Sequence, residues 1–152
     1  MEFLASIHPK VVHFPIAFLM LYPIMELLLI ITRKSFFSKA AFLFLVIGVV
    51  GSVFAVLSGN QAFELVNSWT NESREIFDKH QTFANLTIWY FLIILIGRYF
   101  LFRKQKLNRT IISVLILLSL LGSYFVYQAG NYGGKLAEKV IIFSNSPNGV
   151  IK

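Results

Sequence analysis

The sequence has no cysteine. That excludes a disulfide framework, a thiolate metal site and thioether attachment of haem. Charge is also scarce: Asp, Glu, Lys and Arg make up 14% of the 152 residues, against about 25% in soluble domains. With 57% hydrophobic residues and a mean hydropathy of +0.70, the chain has too little polar surface to cover a water-soluble globule. Acidic residues are few, seven against fourteen basic, and the net charge is +7. That excess would suit nucleic acid, but its distribution along the chain assigns it to membrane topology, and no nucleic-acid partner is expected. Histidine occurs only three times, and two of the three fall in "HPKVVHFP", residues 8–15.

Four long apolar stretches are present, at about 11–32, 40–59, 80–102 and 110–130. Each is near the roughly 20 residues that cross a ~30 Å hydrocarbon core, and within lipid each must be a helix that satisfies its own backbone. The first has no basic leader or small-residue cleavage site and contains Pro23 and Glu26, so it does not read as a cleavable signal. The expected fold class is all-α: an integral membrane four-helix bundle, up-down-up-down, occupying residues 1–140, with 141–152 as a short outward tail. Arg33, Lys34, Lys39, Arg98, Arg103, Lys104, Lys106 and Arg109 lie on one side with no acidic residue among them. The positive-inside rule makes that side cytoplasmic and puts both termini outward, in a bacterial inner (cytoplasmic) membrane. Thr70 or Ser68 is the expected N-cap of a third helix that starts outside the membrane.

The spans place His13 and His80 at one depth near the outward face, with His8 about 7 Å higher. His8 before Pro9 suits an N-cap with Pro at the first helical position. His8 and His13 are five apart, about 140° around a helix, and cannot both point at one spot. Two histidines on different helices at one depth suit the two axial positions of a haem b; a three-histidine copper or zinc site stays open, with the 140° offset against it. Ser58, Asn60, Gln61, Asn85, Gln128 and Asn131 gather at the same face. They would fix a histidine tautomer or hold haem propionates, with Lys10, Arg74 and Lys79 supplying positive charge. Trp69, Tyr124, Tyr127 and Tyr132 fit an aromatic belt. "GNYGG", Gly130 to Gly134, reads as the end of span four, with glycine as its left-handed cap. Gly48, Ser52, Ala55 and Gly59 share a face of span two, where small residues admit a neighbouring helix or leave a slot for something flat. Glu26 is an intramembrane carboxylate: a group bonded within the bundle, part of a proton path, or a contact to a partner subunit. No internal repeat is visible.

"HPKVVHFPIAFLM" resembles the opening of the bacterial domain-of-unknown-function family 2231, four-helix membrane proteins that begin HPxxVHFPIAL. "LSGNQAFE", "HQTFANL" and "GNYGGKL" resemble that family's later landmarks in order, over roughly residues 5–140. Relatives fused to periplasmic cytochrome c-type domains imply haem and electron transfer, with His8, His13 and His80 carried over by position. Where the family commonly has an HGVGV stretch, this chain reads "KLAEKVII", so that later histidine is lost, and Asn60 also departs from the expected pattern.

The function expected from these residues is a b-type haem protein passing electrons near the outward face, with His13 and His80 on the iron and His8 as alternative ligand or propionate contact. Asn85 and Asn131 would lie beside the cofactor. Quinol, a periplasmic cytochrome c or a larger respiratory complex would be its partners, besides membrane lipid. A bis-histidine iron has no open position, which favours electron transfer over catalysis. The other reading is a cofactor-free accessory subunit of a larger membrane complex. A metal or small-solute transporter is third, since neither broken helices nor a repeat is visible.

Overall fold

The computed structural model describes the backbone of residues 2–64, 70–104 and 106–144. Five helices run through them: α1 (Glu2–Val11), α2 (His13–Thr32), α3 (Ser35–Glu64), α4 (Asn71–Arg103) and α5 (Arg109–Ser144). The first two form a single span. Pro15 has no N–H to offer the carbonyl of Val11, and the regular ladder lapses there. Val12 keeps helical angles, φ −61° and ψ −25°. Its N–H reaches the His8 carbonyl at 3.1 Å, and the Ile16 N–H reaches Val12 at 3.3 Å, so the helix keeps its phase through the lapse.

All four spans are long and apolar enough to cross a membrane. The 30 residues of α3 and 33 of α4 extend about 45 and 50 Å, well beyond a ~30 Å hydrocarbon core. Where a soluble bundle would be polar, this one is greasy: Ile93 is 69% exposed, Leu117 67% and Trp89 65%. Such a surface is stable against lipid rather than water. Hydroxyls at membrane depth return to their own helices, as Ser52 does to the Gly48 carbonyl and Thr87 to that of Phe83.

The spans pack in a ring. α2 lies against α3 and α5, α3 against α4, and α4 against α5. Span 1 (α1 and α2) and α4 are thus diagonal partners. Each helix turns a seam of alternating four- and three-residue steps inward: Pro15, Leu19, Tyr22, Glu26 and Leu29 in α2; Ser38, Ala41, Leu45, Gly48 and Ser52 in α3. Thr87, Phe91, Ile94 and Arg98 continue it in α4, and Ile112, Leu115, Ser119, Gly122 and Val126 in α5. This is the spacing of left-handed bundles, in which side chains of one helix fill gaps in the next.

The two hairpins are built alike. A Cβ on Gly48 would run into Leu19, and one on Gly59 would lie 2.9 Å from His8 Cε1. A Cβ on Gly122 would lie 2.6 Å from Phe91 Cζ, and one on Gly133 3.0 Å from His80 Cε1. His8 and His80 are 72 residues apart, as are Leu19 and Phe91, and Glu26 and Arg98; Gly48 and Gly122, Ala55 and Ala129, and Gly59 and Gly133 are each 74 apart. This is an internal repeat with both copies inserted in the same direction, and it was not visible in the sequence. The repeat is not an inverted one, and none of the four spans is broken at mid-membrane among the described residues, so the argument against a transporter stands.

Several local expectations change. His8 is not an N-cap: α1 begins at Glu2 and runs through Pro9. "GNYGG" does not end span four: α5 continues through it to Ser144, with no left-handed glycine. Thr70 is the N-cap of α4, its Oγ1 accepting from the Ser73 N–H at 3.1 Å while Ser73 reaches back to the Thr70 N–H. Ser68, Trp69 and the tail from 145 lie outside the described residues.

Gly122→Ala should lower stability in detergent by about 1–3 kcal/mol, because the Phe91 ring has to move. Gly97→Ala, which meets nothing within 4 Å, should leave stability unchanged or raised by up to about 1 kcal/mol. Denaturant titration of the two variants checks the contrast.

Candidate functional site

The diagonal between span 1 and α4 carries polar side chains at both ends. At the end bearing the termini stand His8 and His80. His8 Nδ1 lies 2.9 Å from Ser58 Oγ. That hydroxyl donates its one proton to the Ala55 carbonyl at 3.0 Å, so it accepts from the imidazole. His80 Nδ1 lies 2.8 Å from the carbonyl of Ala129, which can only accept. Both rings therefore carry their proton on Nδ1, and in the neutral form each leaves a lone pair on Nε2. Among the described residues neither Nε2 has a hydrogen-bond partner, and the rings are close enough for their charges to interact.

The two copies of the repeat position the rings alike. Ala55 and Ala129 are equivalent carbonyls; His80 bonds its own, and His8 lies beside Ala55 and is also linked to it through Ser58. Gly59 and Gly133 admit the ring edges. The flat objects between these small residues are thus imidazoles.

His13 is elsewhere. It is exposed, off the buried seam, and the structure brings His8 rather than His13 to His80. Asn85 is exposed and Asn131 half-buried, and neither makes a side-chain hydrogen bond among the described residues. Ser58 does hold a histidine tautomer, that of His8. Gln61 Oε1 is buried without a partner among the described residues at the same end. Lys79 is engaged by Glu75 at 2.7 Å and lies over the Tyr132 ring, and Lys139 pairs with Glu72 at 2.8 Å.

The other end holds an ion pair. Arg98 Nε donates to Glu26 Oε1 at 2.6 Å, with both side chains fully buried. Arg98 Nη2 also reaches Ser38 Oγ at 3.1 Å. Counting Arg98 with the loop charges is thus corrected: an arginine cannot be deprotonated, and at this depth it turns to the acid across the diagonal. Glu26 faces inward, toward Arg98. Arg33, Lys34, Lys39, Arg103, Lys104, Lys106 and Arg109 still leave that end basic without an acid. The signal for both pairs was in the sequence. His8 precedes Glu26 by the same 18 residues by which His80 precedes Arg98, and 18 residues make five helical turns, about 27 Å on one face.

The donor chemistry at the histidine end fits a haem iron between two imidazole nitrogens. α1 packs on α2 and α3 and has no backbone contact with α4 or α5. On α5, Gly134 has open space beside it, while Gly130 faces Ile16.

Compared with known families, residues 5–143 match the model of a predicted membrane protein family, DUF2231. The chain belongs to DUF2231. No curated protein and no solved structure matches it. The four spans agree with the family's description, and the opening "HPKVVHFP" now has a structural reading for this DUF2231 member: its first histidine faces the bundle and its second does not.

Glu26→Ala should destabilise the protein by about 3–5 kcal/mol by leaving the Arg98 charge buried and unpaired. The double replacement Glu26→Leu with Arg98→Met should recover most of that loss. Unfolding in detergent followed by circular dichroism measures both.

Proposed function

We propose that this DUF2231 protein is a b-type haem-binding membrane protein that transfers electrons near the periplasmic face of a bacterial inner membrane, as a subunit of a respiratory or redox assembly. The observation that carries the reading is the matched tautomer of His8 and His80, each held at Nδ1 by a protein oxygen with Nε2 left for iron. Orientation of a ligand histidine by a bond at its other nitrogen is the usual arrangement in metal sites. His8 and His80 would therefore hold the iron, and the pairing of His80 with His13 expected from depth alone is set aside.

Bound haem would supply one-electron chemistry. The chain's own part would be to hold both rings by Nδ1 with Nε2 free for the iron. With two imidazoles on the iron, electron transfer would fit better than oxygen chemistry. A quinol or a periplasmic cytochrome c would be the electron partner. The seven basic residues at the far end set the orientation.

One observation favours the second reading, a cofactor-free accessory subunit. Two cavities among the described residues are lined by Phe42, Leu95 and Tyr99 and by Leu29, Arg33 and Arg109, and neither of these reaches a histidine. Colourless protein that co-purifies stoichiometrically with a partner supports that reading.

The optical spectrum of purified, haem-supplemented, dithionite-reduced protein decides between them. A reduced b-type α-band is expected, abolished by His8→Ala or His80→Ala and retained in His13→Ala. No α-band, or a band lost only in His13→Ala, overturns the assignment.

A further inference from the structure

Between the end of α2 and the start of α5 the bundle leaves a cavity of about 490 Å³ at its basic end. Its inner wall is apolar: Leu29 and Ile112 are buried, and Ile30 and Leu107 half-buried. Its rim carries two exposed arginines, Arg33 and Arg109. Neither makes an ion pair among the described residues. Of the seven acidic residues, Glu26 is held by Arg98 and the other six lie toward the end bearing the termini. The two guanidiniums thus stand over an apolar cleft with no anion of this chain near them.

Membrane topology accounts for the sign of these charges but not for their place. Lys34, Lys39, Arg103, Lys104 and Lys106 already make this end basic. The repeat supplies an internal comparison. Its spacings match Arg33 to Gln105 and Arg109 to Ser35, so the other hairpin junction has no charge at either position. Arg109 and Ser35 each begin their helix, and a helix can start there without a cation. Arg33 is moreover the one non-glycine residue with positive φ, 56°, among the described residues. Glycine is the usual occupant of such a left-handed position at a helix end. An arginine is kept there despite the steric cost.

The occupant that fits is an amphiphile with an anionic head. Phosphate oxygens accept paired hydrogen bonds from guanidinium groups, and an acyl chain would lie against Leu29, Ile30 and Ile112. Basic pockets between membrane helices commonly take the heads of anionic phospholipids. A soluble anion would leave the inner wall uncovered, and a zwitterionic lipid brings its own cation to the arginines.

We propose that the cleft between α2 and α5 is a binding site for one anionic phospholipid, its phosphate on Arg33 and Arg109 and a chain along Leu29, Ile30 and Ile112. The site is separate from the histidines and does not rest on the haem reading. Native mass spectrometry of the full chain in detergent micelles tests it, with phosphatidylglycerol and phosphatidylcholine supplied in equal amounts. One phosphatidylglycerol should be retained in clear preference to phosphatidylcholine. Arg33→Gly with Arg109→Gln should lower that preference severalfold while the helical circular dichroism is kept, since glycine suits the left-handed turn. Lys34→Gln with Lys104→Gln removes the same charge at exposed positions outside the cleft and should change it less than about twofold. Glycerol phosphate, the same head without chains, should not displace the lipid when added in excess. No preference in the unaltered protein overturns the proposal, as does an equal fall in both double variants, which would mean diffuse surface charge. Displacement by glycerol phosphate also overturns it, by showing a phosphate site without a lipid chain.

Discussion

The ion pair between Glu26 and Arg98 is the constraint on which the rest of the bundle turns. Apolar packing in lipid has little power to select register, because lipid tails are as apolar as leucine. A charge in hydrocarbon does select, since each misaligned register leaves it unpaired. Fixing Glu26 opposite Arg98 fixes span 1 against α4 across the bundle. Five turns away on the same two helices, the same phase brings His8 to His80. Whether the pair adds net stability is a separate matter, since desolvation of buried charges offsets much of their attraction. Its effect here is on specificity.

The second constraint is steric. Four glycines admit Leu19, His8, Phe91 and His80 at matching positions of two hairpins. In each hairpin a large apolar side chain fills the middle and an imidazole fills the end bearing the termini. The copies differ where polarity is needed: one diagonal partner became acidic at Glu26 and the other basic at Arg98. Ser58 entered one copy as a bridge between His8 and Ala55, while His80 reaches Ala129 directly.

The four spans and their antiparallel order were legible because length and hydropathy determine them. The Thr70 cap was legible because Thr and Ser two positions apart preceded a polar helix start, and the structure chose Thr70. The histidine pairing was misjudged because depth was estimated from where the apolar run begins, which placed His13 level with His80. Rotation about the helix, which separates His13 from the seam, carries the opposite answer. The repeat stayed hidden because it survives in a few glycines, two histidines and their spacing, with different side chains between them. Arg98 was misplaced because its distance from the basic loop was small, although a side chain four residues inside a helix end can turn either outward or into the core.

The central claim is that His8 and His80 are anchored at Nδ1 and leave Nε2 without a partner among the described residues. The measurement that tests it most directly is the ¹⁵N NMR spectrum of ring-labelled histidine in the protein without added haem, with the three rings assigned by single His→Ala variants. The account predicts that His8 and His80 both show a protonated Nδ1 and an unprotonated Nε2 near neutral pH. His8 or His80 in the opposite tautomer, with the proton on Nε2, would contradict it.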